Sequence, residues 1–377
     1  MKRLMMLAKS TWLPAIRREH ALAALAYANG VLVDFIEAPS DIRALRGVGR
    51  RGWFARLGPP AAGRSHPGVA AYRRSTIVPG HRGRLAATVD NRLLRRSVQA
   101  LCPPDPAGTA VVVNVPWQWD ATAGIPARRV FDAADDWNLL LAGRRPHLRE
   151  MYARIADEAD AIVVANPNLA ELFPGRHVRV VPNGTQADLA GEPAVPAREP
   201  NRLVYVGTFS ERFDADLVTR VLTLLPGHTL DLYGECRYAG HGAKPAAEFL
   251  TLLARFRNRV TWHGVLHRPE LAGVLNAAGA GLVPHRAEFS RGQSSMKFLD
   301  YAARGCPVVS TRWERDIDRQ APPGVWFADT AEDYAAAVRR AAAVDPATVQ
   351  AAMRWARRQT WEHRWPLWSD AVFGSAA

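Results

Sequence analysis

The chain has 377 residues, more than one hydrophobic core usually holds, so two domains are expected. Its hydrophobic fraction of 48% and charged fraction of 23% are ordinary for a soluble globular protein. No run of about 18 apolar residues occurs, which argues against a membrane-spanning helix. The apolar stretch at residues 4–8 is too short for a signal peptide, and we predict a buried first strand there.

The three cysteines, Cys102, Cys236 and Cys306, are scattered along the chain. They form neither a disulfide framework nor the spacing of a zinc site. We therefore expect a reducing, cytoplasmic environment and no metal bound through thiolates.

The net charge is +13, and all but four of the 49 basic residues are arginine, a bias that genome base composition alone can produce. The distribution is more informative, because residues 43–96 contain thirteen arginines and one acid, Asp90. Such a region attracts anionic membrane surfaces, phosphorylated acceptors or nucleic acid. A solvated basic face without a partner explains it equally well.

Short apolar, β-branched runs alternate with helical stretches, which predicts βαβ units and parallel sheets covered on both faces. The predicted strands are residues 2–8, 31–37, 110–115, 161–165, 178–181, 203–207, 229–233, 260–263, 281–284 and 307–311. A helix is predicted from Pro14 to Asn29, closed by Gly30. Residues 44–108 are predicted to be rich in loops, with a helix near 91–101.

The proline-rich stretch 187–201 lacks periodicity and predicts a linker. It divides the chain into a domain at residues 1–186 and a second domain at 202–346, each the size of a Rossmann-like unit. The tail at 347–377 is predicted to be helical and to pack back on the first domain. It carries Trp355, Trp361, Trp365 and Trp368.

Residues 294–309 read Ser-Ser-Met-Lys-Phe-Leu-Asp-Tyr-Ala-Ala-Arg-Gly-Cys-Pro-Val-Val. A helix that starts here presents its N-terminal amides, which suit a diphosphate. Lys297 lies in the first turn, where its ammonium can neutralise phosphate. Asp300 follows at i+3 on the same face and can accept hydrogen bonds from ribose hydroxyls. An ordinary helix with a surface Lys–Asp pair is the alternative.

The pattern K-x-x-[ED]-Y-x-A-x-G-x-P-V-V in this stretch resembles the donor-site signature of GT-B glycosyltransferases. The resemblance implies an α/β protein of two Rossmann-like domains facing across a cleft. It also implies that Ser294, Ser295 and Met296 join the nucleotide-sugar site. The family usually has Glu where Asp300 stands, and many retaining members carry an acid where this chain has Gly292. The stereochemical outcome is therefore left open.

Residues 203–214 resemble the opening strand and loop of the family's donor domain. Gly207 there allows close backbone approach to a ligand, and Arg212 either reaches the diphosphate or lies on the surface. Residues 260–271 resemble the H-G-x-V segment of the family, with His263 in it and the backbone near Val265 meeting the base. His285 follows a later strand and lies over the donor sugar or packs in the core.

The catalytic base is sought in residues 130–137, where carboxylates follow a strand. This stretch resembles the D-D motif of bacterial polysaccharide glycosyltransferases of the teichuronic-acid and xanthan type. We predict Asp135 as the base, then Asp136, since a carboxylate can remove the acceptor's proton. Asp132 is predicted to be structural. The alternative is that all three acids are caps and turn formers.

The loop at residues 10–20 replaces the Gly-Gly loop common in these enzymes and contains Trp12 and Arg17. Arg17 or Arg18 is predicted to contact an anionic group, and Trp12 and Arg17 are assigned to the acceptor site. Trp117 and Trp119 either stack on the acceptor or belong to the core.

The resemblance implies transfer of a sugar from a nucleoside diphosphate sugar, with UDP favoured, to an acceptor hydroxyl on a lipid-linked glycan or a small molecule. No bound metal, no further cofactor and no nucleic acid are expected. We expect a monomer that can associate peripherally with the inner face of the membrane. Two alternatives are a GT-B epimerase that acts on the nucleotide sugar and, more distantly, a basic protein that binds polyanions or membranes.

Overall fold

The computed structural model describes residues 1–12, 17–40, 54, 64–66, 68–141, 146–191, 198–238, 244–314, 317 and 321–374. They form two compact units, the first made of residues 1–183, 292–294 and 364–377 and the second of residues 184–291 and 295–363. Pro14, Arg43, Arg46, Arg50, Arg51, Arg56 and residues 192–197 of the predicted linker lie outside the described residues. Within the described ranges, no helix combines the length and apolar character needed to cross a bilayer.

The first unit is built on one eight-stranded sheet. Its strands are β1 (Arg3–Leu7), β2 (Leu32–Ile36), β3 (Arg64–His66), β4 (Val69–Tyr72), β5 (Thr109–Val113), β6 (Arg128–Ala133), β7 (Ala161–Val164) and β8 (Arg179–Val180). Its α-helices are α1 (Arg18–Ala28), α2 (Arg84–Leu101), α3 (Trp137–Leu140) and α4 (His147–Glu158), and the last helix of the chain, given below, ends in this unit.

The strand order in this sheet is β3-β4-β2-β1-β5-β6-β7-β8, and every pairing is parallel except β3 with β4. The chain leaves β1 toward β2 on one side and later returns to β5 on the other. Ligands of open parallel sheets bind outside the carboxyl ends of strands at such a switch point. This places the segments after β1 and β5 at the functional edge of the first unit.

The second unit contains a six-stranded parallel sheet in the order β11-β10-β9-β12-β13-β14. Its strands are β9 (Glu199–Val206), β10 (Thr229–Tyr233), β11 (Val260–Gly264), β12 (Ala278–Val283), β13 (Val308–Ser310) and β14 (Val325–Phe327). Its α-helices are α5 (Ala215–Leu224), α6 (Ala247–Arg255), α7 (Arg268–Ala277), α8 (Met296–Ala303), α9 (Ala331–Ala342), α10 (Pro346–Arg357) and the start of α11 (Trp361–Phe373). The switch point here lies between β9 and β12.

The predicted α/β architecture is confirmed, and each predicted strand overlaps an observed one. The physical reason is burial on both faces: all five residues of β5 and all six of β12 are buried. The strands β3, β4, β6 and β14 were not in the predicted set. Strands β3 and β4 lie in the stretch predicted to be rich in loops, and β6 begins with two arginines and contains Asp132, which interrupts an apolar pattern.

The predicted domain limits need two corrections. The first unit ends at residue 183 rather than 186, because Thr185 pairs with residues of the second unit, its N–H donating to Gln359 O over 2.9 Å. Residues 347–363 belong to the second unit, whereas they were predicted to join the first. Helix α10 rests on Gly305, where a Cβ atom would lie 2.6 Å from Val349 Cγ1 and 2.9 Å from Met353 Sδ.

The segment from residue 364 onward belongs to the first unit, where a buried polar cluster holds it. Trp368 is fully buried and donates its indole N–H to Asp132 Oδ2 over 3.1 Å. Arg18 Nε donates to both carboxylate oxygens of Asp132 at 3.0 Å, and both residues are at least 98% buried. This cluster links β6, α1 and the C-terminal helix.

Candidate active site

Helix α8 begins directly after Ser295, which precedes its first residue, Met296. Ser295 is 9% exposed, and its Oγ is a buried atom with no hydrogen-bond partner among the described residues. The side chain of Ser295 does not cap the helix, so the first amides of α8 keep their capacity to donate. A helix start of this kind combines amide donors, a positive dipole end and an unused hydroxyl, which suits an anion.

Ser294, which the sequence grouped with this helix start, belongs to the first unit instead. Its carbonyl oxygen accepts from Asn183 Nδ2 over 2.9 Å, and its Oγ accepts from Asn183 N over 3.4 Å. These bonds tie Ser294 to Asn183 at the end of the first unit, and its place in the donor site stays a prediction.

Lys297 lies in the first turn of α8 with its side chain folded against Gly207. A Cβ atom at Gly207 would lie 2.5 Å from Lys297 Cε and 2.8 Å from Nζ, so a side chain at position 207 would displace the lysine ammonium. The ammonium lies 5.2 Å from the centre of the Tyr205 ring. Burial and the neighbouring charge of Arg212 lower the pKa of Lys297 to about 8, although Asp300 opposes the shift.

Asp300 lies one turn further along α8, and its Oδ1 accepts a hydrogen bond from Thr185 Oγ1 over 2.8 Å. Burial raises the pKa of the Asp300 carboxyl to about 6, against the Thr185 hydrogen bond and the charges of Arg268 and Lys297. A carboxylate in this setting has a strong demand for hydrogen-bond donors. Sequence reasoning did not indicate Thr185 as a partner of Asp300, because the two residues are 115 positions apart.

Arg212 and His285 flank the two strand ends at the switch point. Arg212 Nε donates to Phe289 O over 3.0 Å, and its charge contributes to the lowered pKa of Lys297. His285 is 2% exposed, and its ring lies 5.3 Å from the ring of Trp313. The structure therefore brings Gly207, Arg212, Lys297 and His285 to the same end of β9 and β12.

His263 and Val265 have different surroundings. His263 Nε2 lies 2.7 Å from Asp231 Oδ1, and its ring stacks on Tyr233 at 4.6 Å. Both partners belong to β10, so the His263 side chain is directed to β10 and not to Lys297 or Asp300. Val265 follows β11 and is 52% exposed, so it is accessible to a ligand.

In the first unit, the three acids at the end of β6 and just after it have three different environments. Asp132 is fully buried in the cluster with Arg18. Asp136 is the N-cap of α3, and its Oδ1 accepts from the amides of Asn138 at 2.8 Å and Leu139 at 3.2 Å. Asp135 is partly buried, and its Oδ2 lies 3.0 Å from Lys9 Nζ. Asp136 is therefore a helix cap, and Asp135 is the better candidate for a base.

Lys9 and Glu19 extend the Asp135 environment into a polar cluster beyond the end of β1. Burial alone would lower the pKa of Lys9, but the charges of Asp135 and Glu19 raise it above its usual value, so the ammonium is charged at neutral pH. Glu19 is 1% exposed and its Oε1 accepts from Ser10 Oγ over 2.5 Å. Burial raises the pKa of Glu19, yet Lys9 and His20 lower it overall.

His20 completes this cluster with its ring stacked on Phe35 at 5.3 Å. Burial lowers the pKa of His20, so the ring is neutral at pH 7. Sequence reasoning missed Lys9, Glu19 and His20, because no local motif marks them and their partners are distant along the chain.

The four predicted acceptor residues divide into two kinds. Trp117 is partly exposed, with its ring 4.8 Å from Trp137 and 5.3 Å from His81. Trp119 is 1% exposed and donates its indole N–H to Glu158 Oε2 over 2.9 Å. Trp119 is therefore a core residue, and its assignment to the acceptor pocket is corrected.

Trp12 and Arg17 flank the loop after β1. The ring of Trp12 lies 4.8 Å from Phe35 and 5.4 Å from His20, and its backbone N–H donates to Glu37 Oε1 over 3.1 Å. Arg17 is the N-cap residue of α1, and its backbone N–H donates to His20 Nδ1 over 2.9 Å. Both residues therefore adjoin the polar cluster of Lys9 and Glu19.

Residues 200–343 match the protein-family model described as Glycosyl transferases group 1. The matched region starts in β9, ends just after α9 and contains α8 with Lys297 and Asp300. A search of curated proteins gives no significant match.

Three solved structures resemble the chain over nearly all of its length. Sucrose-phosphate synthase from Thermosynechococcus elongatus has 17% identity and a TM-score of 0.74, with 98% of both chains covered. HepE from Anabaena, solved with UDP and glucose, has 15% identity and a TM-score of 0.65, with 98% of both chains covered. WaaG, a glycosyltransferase involved in lipopolysaccharide biosynthesis, has 15% identity and a TM-score of 0.64, with 99% and 100% covered.

At these identities the solved structures show the fold of the chain, and the family match applies to residues 200–343. Residues 200–343 are therefore a glycosyltransferase domain of group 1, within a chain that has the GT-B fold.

Proposed function

We propose that the chain transfers a sugar from a UDP-sugar to an acceptor hydroxyl in the assembly of a polysaccharide or another glycoconjugate. The observation that carries the donor part is the pair of buried charges on one face of α8, Lys297 and Asp300. UDP as the nucleotide is supported by the HepE structure, which contains UDP and glucose. The role of WaaG in lipopolysaccharide biosynthesis supports the glycoconjugate.

In this proposal the donor diphosphate binds at the start of α8. The amides of Met296 and Lys297 and the Oγ of Ser295 donate hydrogen bonds to phosphate oxygens, while Lys297 and Arg212 supply positive charge. The leaving diphosphate gains negative charge during transfer, so these groups stabilise the transition state more than the bound donor. Protein side chains and helix amides carry out this neutralisation, and we propose no metal or other cofactor.

The remainder of the donor is assigned as follows. Asp300 accepts hydrogen bonds from the ribose hydroxyls, backbone groups near Val265 meet the base, and His285 lies beside the sugar. His263 contacts Asp231 of β10 instead and has no role in this proposal. Thr185 acts as a positioning residue, because its hydroxyl fixes the orientation of the Asp300 carboxylate.

In the first unit we propose Asp135 as the catalytic base. Its carboxylate removes the proton of the acceptor hydroxyl as that oxygen bonds to the anomeric carbon and the diphosphate departs with the electrons of the broken bond. Lys9 acts through Asp135, since the ion pair at 3.0 Å fixes the carboxylate. The exposed ring of Trp117 provides a stacking face for a sugar acceptor.

Many retaining relatives carry an acid where this chain has Gly292, so the residue at position 292 supports direct, inverting transfer with Asp135 as the base. Gly292 has a φ of +75°, and a Cβ atom there would lie 2.8 Å from Leu169 Cδ2. An acidic side chain at this position would need a strained backbone and a shifted leucine. An inverted anomeric configuration in the product, read by proton NMR, is the expected outcome, and retention would remove the need for Asp135 as a base.

The acceptor is proposed to be a hydroxyl of a lipid-linked glycan, with a small molecule as the alternative. A lipid-linked acceptor implies work at the cytoplasmic face of a membrane, which the basic character of the chain supports. Transfer to alkyl glycosides of increasing chain length separates the two, since a lipid-linked acceptor predicts that the longer chains are preferred.

Asp300→Asn is expected to weaken binding of UDP-glucose by about 10- to 100-fold, because hydrogen bonds to a charged acceptor are worth roughly 1.5–3 kcal/mol. The same substitution is expected to stabilise the fold at pH 8 by up to about 3 kcal/mol. The folded-state pKa of Asp300 is raised to about 6 from 3.8, so the ionised carboxylate destabilises the fold above pH 6, and asparagine removes that penalty.

Isothermal titration calorimetry measures the first effect, and thermal unfolding at pH 4 and pH 8 measures the second. The stability gain should be much smaller at pH 4 than at pH 8, and it should vanish only below pH 3.8, where both folded and unfolded Asp300 are protonated. Asp188→Asn is the matched control, since the side chain of Asp188 is 75% exposed. Unchanged affinity for UDP-glucose in Asp300→Asn would refute the donor assignment.

Donor affinity should have a maximum between about pH 6 and pH 8. Below about 6, Asp300 is protonated and accepts fewer hydrogen bonds, and above about 8 Lys297 loses its charge. UDP-glucose is the suitable probe because its phosphates are diesters that do not titrate in this range. The acidic limb should disappear in Asp300→Asn and the alkaline limb in Lys297→Met, and a flat profile in the wild type would contradict both assignments.

A further inference from the structure

Helix α2 presents apolar side chains to solvent where it starts. Leu85 is 84% exposed and Val89 is 41% exposed, and the spacing of four places both on one face of the helix. Ile77 and Val78, in the loop before the helix, are 48% and 40% exposed. Single exposed apolar residues are ordinary, but four within thirteen positions form a patch that the fold does not use.

The same face of α2 becomes basic one turn later. Arg92 and Arg96 lie three and seven residues beyond Val89, and both are exposed. Arg82 and Arg84, before Leu85, are exposed as well, although Arg84 pairs with Glu150. The name apolar–basic face is used below for Ile77, Val78, Arg82, Leu85, Val89, Arg92 and Arg96.

This face carries no exposed carboxylate of its own. The single acid between residues 68 and 104 is Asp90, which is fully buried and paired with the buried Arg74. Arg84 pairs with the exposed Glu150, but among the described residues no ion pair neutralises Arg82, Arg92 or Arg96. Their positive charge complements an extended anionic surface rather than one isolated anion.

The opposite side of α2 fixes the helix to the first unit. Ala87, Leu94 and Val98 are buried, and Asn91 Nδ2 donates to Trp117 O over 2.9 Å. The apolar–basic face is thus held in position by the core rather than being a frayed end. Gly80, beside the patch, packs on Trp117, where a Cβ atom would lie 2.9 Å from the indole Cδ1.

We propose that the apolar–basic face docks the enzyme on an anionic phospholipid surface. Ile77, Val78, Leu85 and Val89 enter the boundary between headgroups and acyl chains, while the arginines bind the lipid phosphates. A nucleic acid would use the arginines but offers no apolar layer for the four hydrophobic side chains. The direct packing of this region on Trp117 brings the docking face next to the proposed acceptor residue.

Co-sedimentation of the full chain with lipid vesicles tests this inference without any sugar substrate. The wild type should sediment with vesicles of phosphatidylcholine mixed with phosphatidylglycerol and remain in solution with phosphatidylcholine alone. The double variant Leu85→Ser/Val89→Ser keeps the net charge and should bind the anionic vesicles at least about tenfold more weakly. Arg92→Gln/Arg96→Gln should weaken binding by a similar factor and reduce its dependence on salt.

Leu250→Ser is the matched control, because Leu250 is 51% exposed on α6 of the second unit and should not affect sedimentation. All substituted positions are exposed, so the variants should unfold at the same temperature as the wild type. The shift of that temperature by UDP should also be unchanged, which makes failure of this inference distinguishable from failure of the donor-site proposal. Equal sedimentation of Leu85→Ser/Val89→Ser and the wild type would overturn it. A second outcome would also overturn it: the wild type does not sediment with anionic vesicles, but both the wild type and Leu85→Ser/Val89→Ser bind RNA. The face would then be a polyanion site.

Discussion

Asp135→Asn is expected to lower the turnover number by about 10²- to 10⁴-fold, the usual contribution of a general base. Asparagine keeps the size and the hydrogen-bonding oxygen of the side chain but cannot take up the proton of the acceptor hydroxyl. Binding of UDP-glucose should be unchanged, because the donor residues lie on α8 and after β9 in the second unit. The expected loss therefore appears in turnover and not in donor affinity.

Asp136→Asn is the control that this chain offers. Asp136 caps α3 through bonds from two backbone amides, and asparagine caps a helix about as well as aspartate. UDP release from UDP-glucose with a panel of octyl glycosides as acceptors measures both variants. If Asp135→Asn kept most of the wild-type rate while Asp136→Asn lost it, the assignment of the base would be reversed. Comparable losses in the two variants would remove the distinction between a capping aspartate and a catalytic base.

The same experiment distinguishes Lys9 from Asp135. Lys9→Met removes the ion pair at 3.0 Å and leaves the carboxylate in place, so its effect acts through Asp135. If Lys9 positions Asp135, Lys9→Met should lower turnover less than Asp135→Asn does, and the acidic limb of the pH profile of turnover should shift. If Lys9 is merely structural, the pH profile of turnover should stay in place.

Asp132→Leu is expected to destabilise the first unit by about 3–5 kcal/mol, the cost of leaving one member of a buried ion pair without its partner. Arg18 is 2% exposed and Asp132 is fully buried, so water cannot replace the lost carboxylate. Trp368 also loses the acceptor of its indole N–H, which loosens the segment from residue 364 onward. The second unit should unfold as in the wild type.

Hydrogen exchange of peptides from β6 and from residues 364–374 locates this effect, since a two-unit protein need not unfold in a single transition. The double variant Arg18→Met/Asp132→Leu should recover most of the lost stability, because it replaces both charges with apolar groups. Asp120→Asn, at a half-exposed pair with Arg154, is the control and should change stability by less than about 1 kcal/mol. Full protection in Asp132→Leu would show that the pair adds nothing to the fold.

The amino-acid sequence by itself determined the features that depend on neighbouring residues. Buried parallel strands were predicted because a strand covered on both faces needs a continuous apolar run. Lys297 and Asp300 were predicted on one face because a spacing of three in a helix places two side chains together. The helix start at Ser295 and Met296 followed from the same local pattern.

Tertiary structure decided what depends on distant partners and on burial. Lys9 and Asp135 are 126 residues apart, and Thr185 and Asp300 are 115 apart, so no local pattern indicates either contact. The shifted pKa values of Lys297 and Asp300 arise mainly from burial, which a sequence does not give residue by residue. Trp117 and Trp119 are alike in sequence, yet one ring reaches the surface and the other lies in the core.

The division of the C-terminal segment has the same origin. Its helical character and its tryptophans were evident, because periodicity and residue type are local properties. Which unit each part joins depends on the surface available to it: Gly305 leaves room for Val349 and Met353 of α10, and Asp132 offers an acceptor to Trp368 of α11. A chain forms its elements from local preference, but the partners that bury them are known only once the whole chain has packed.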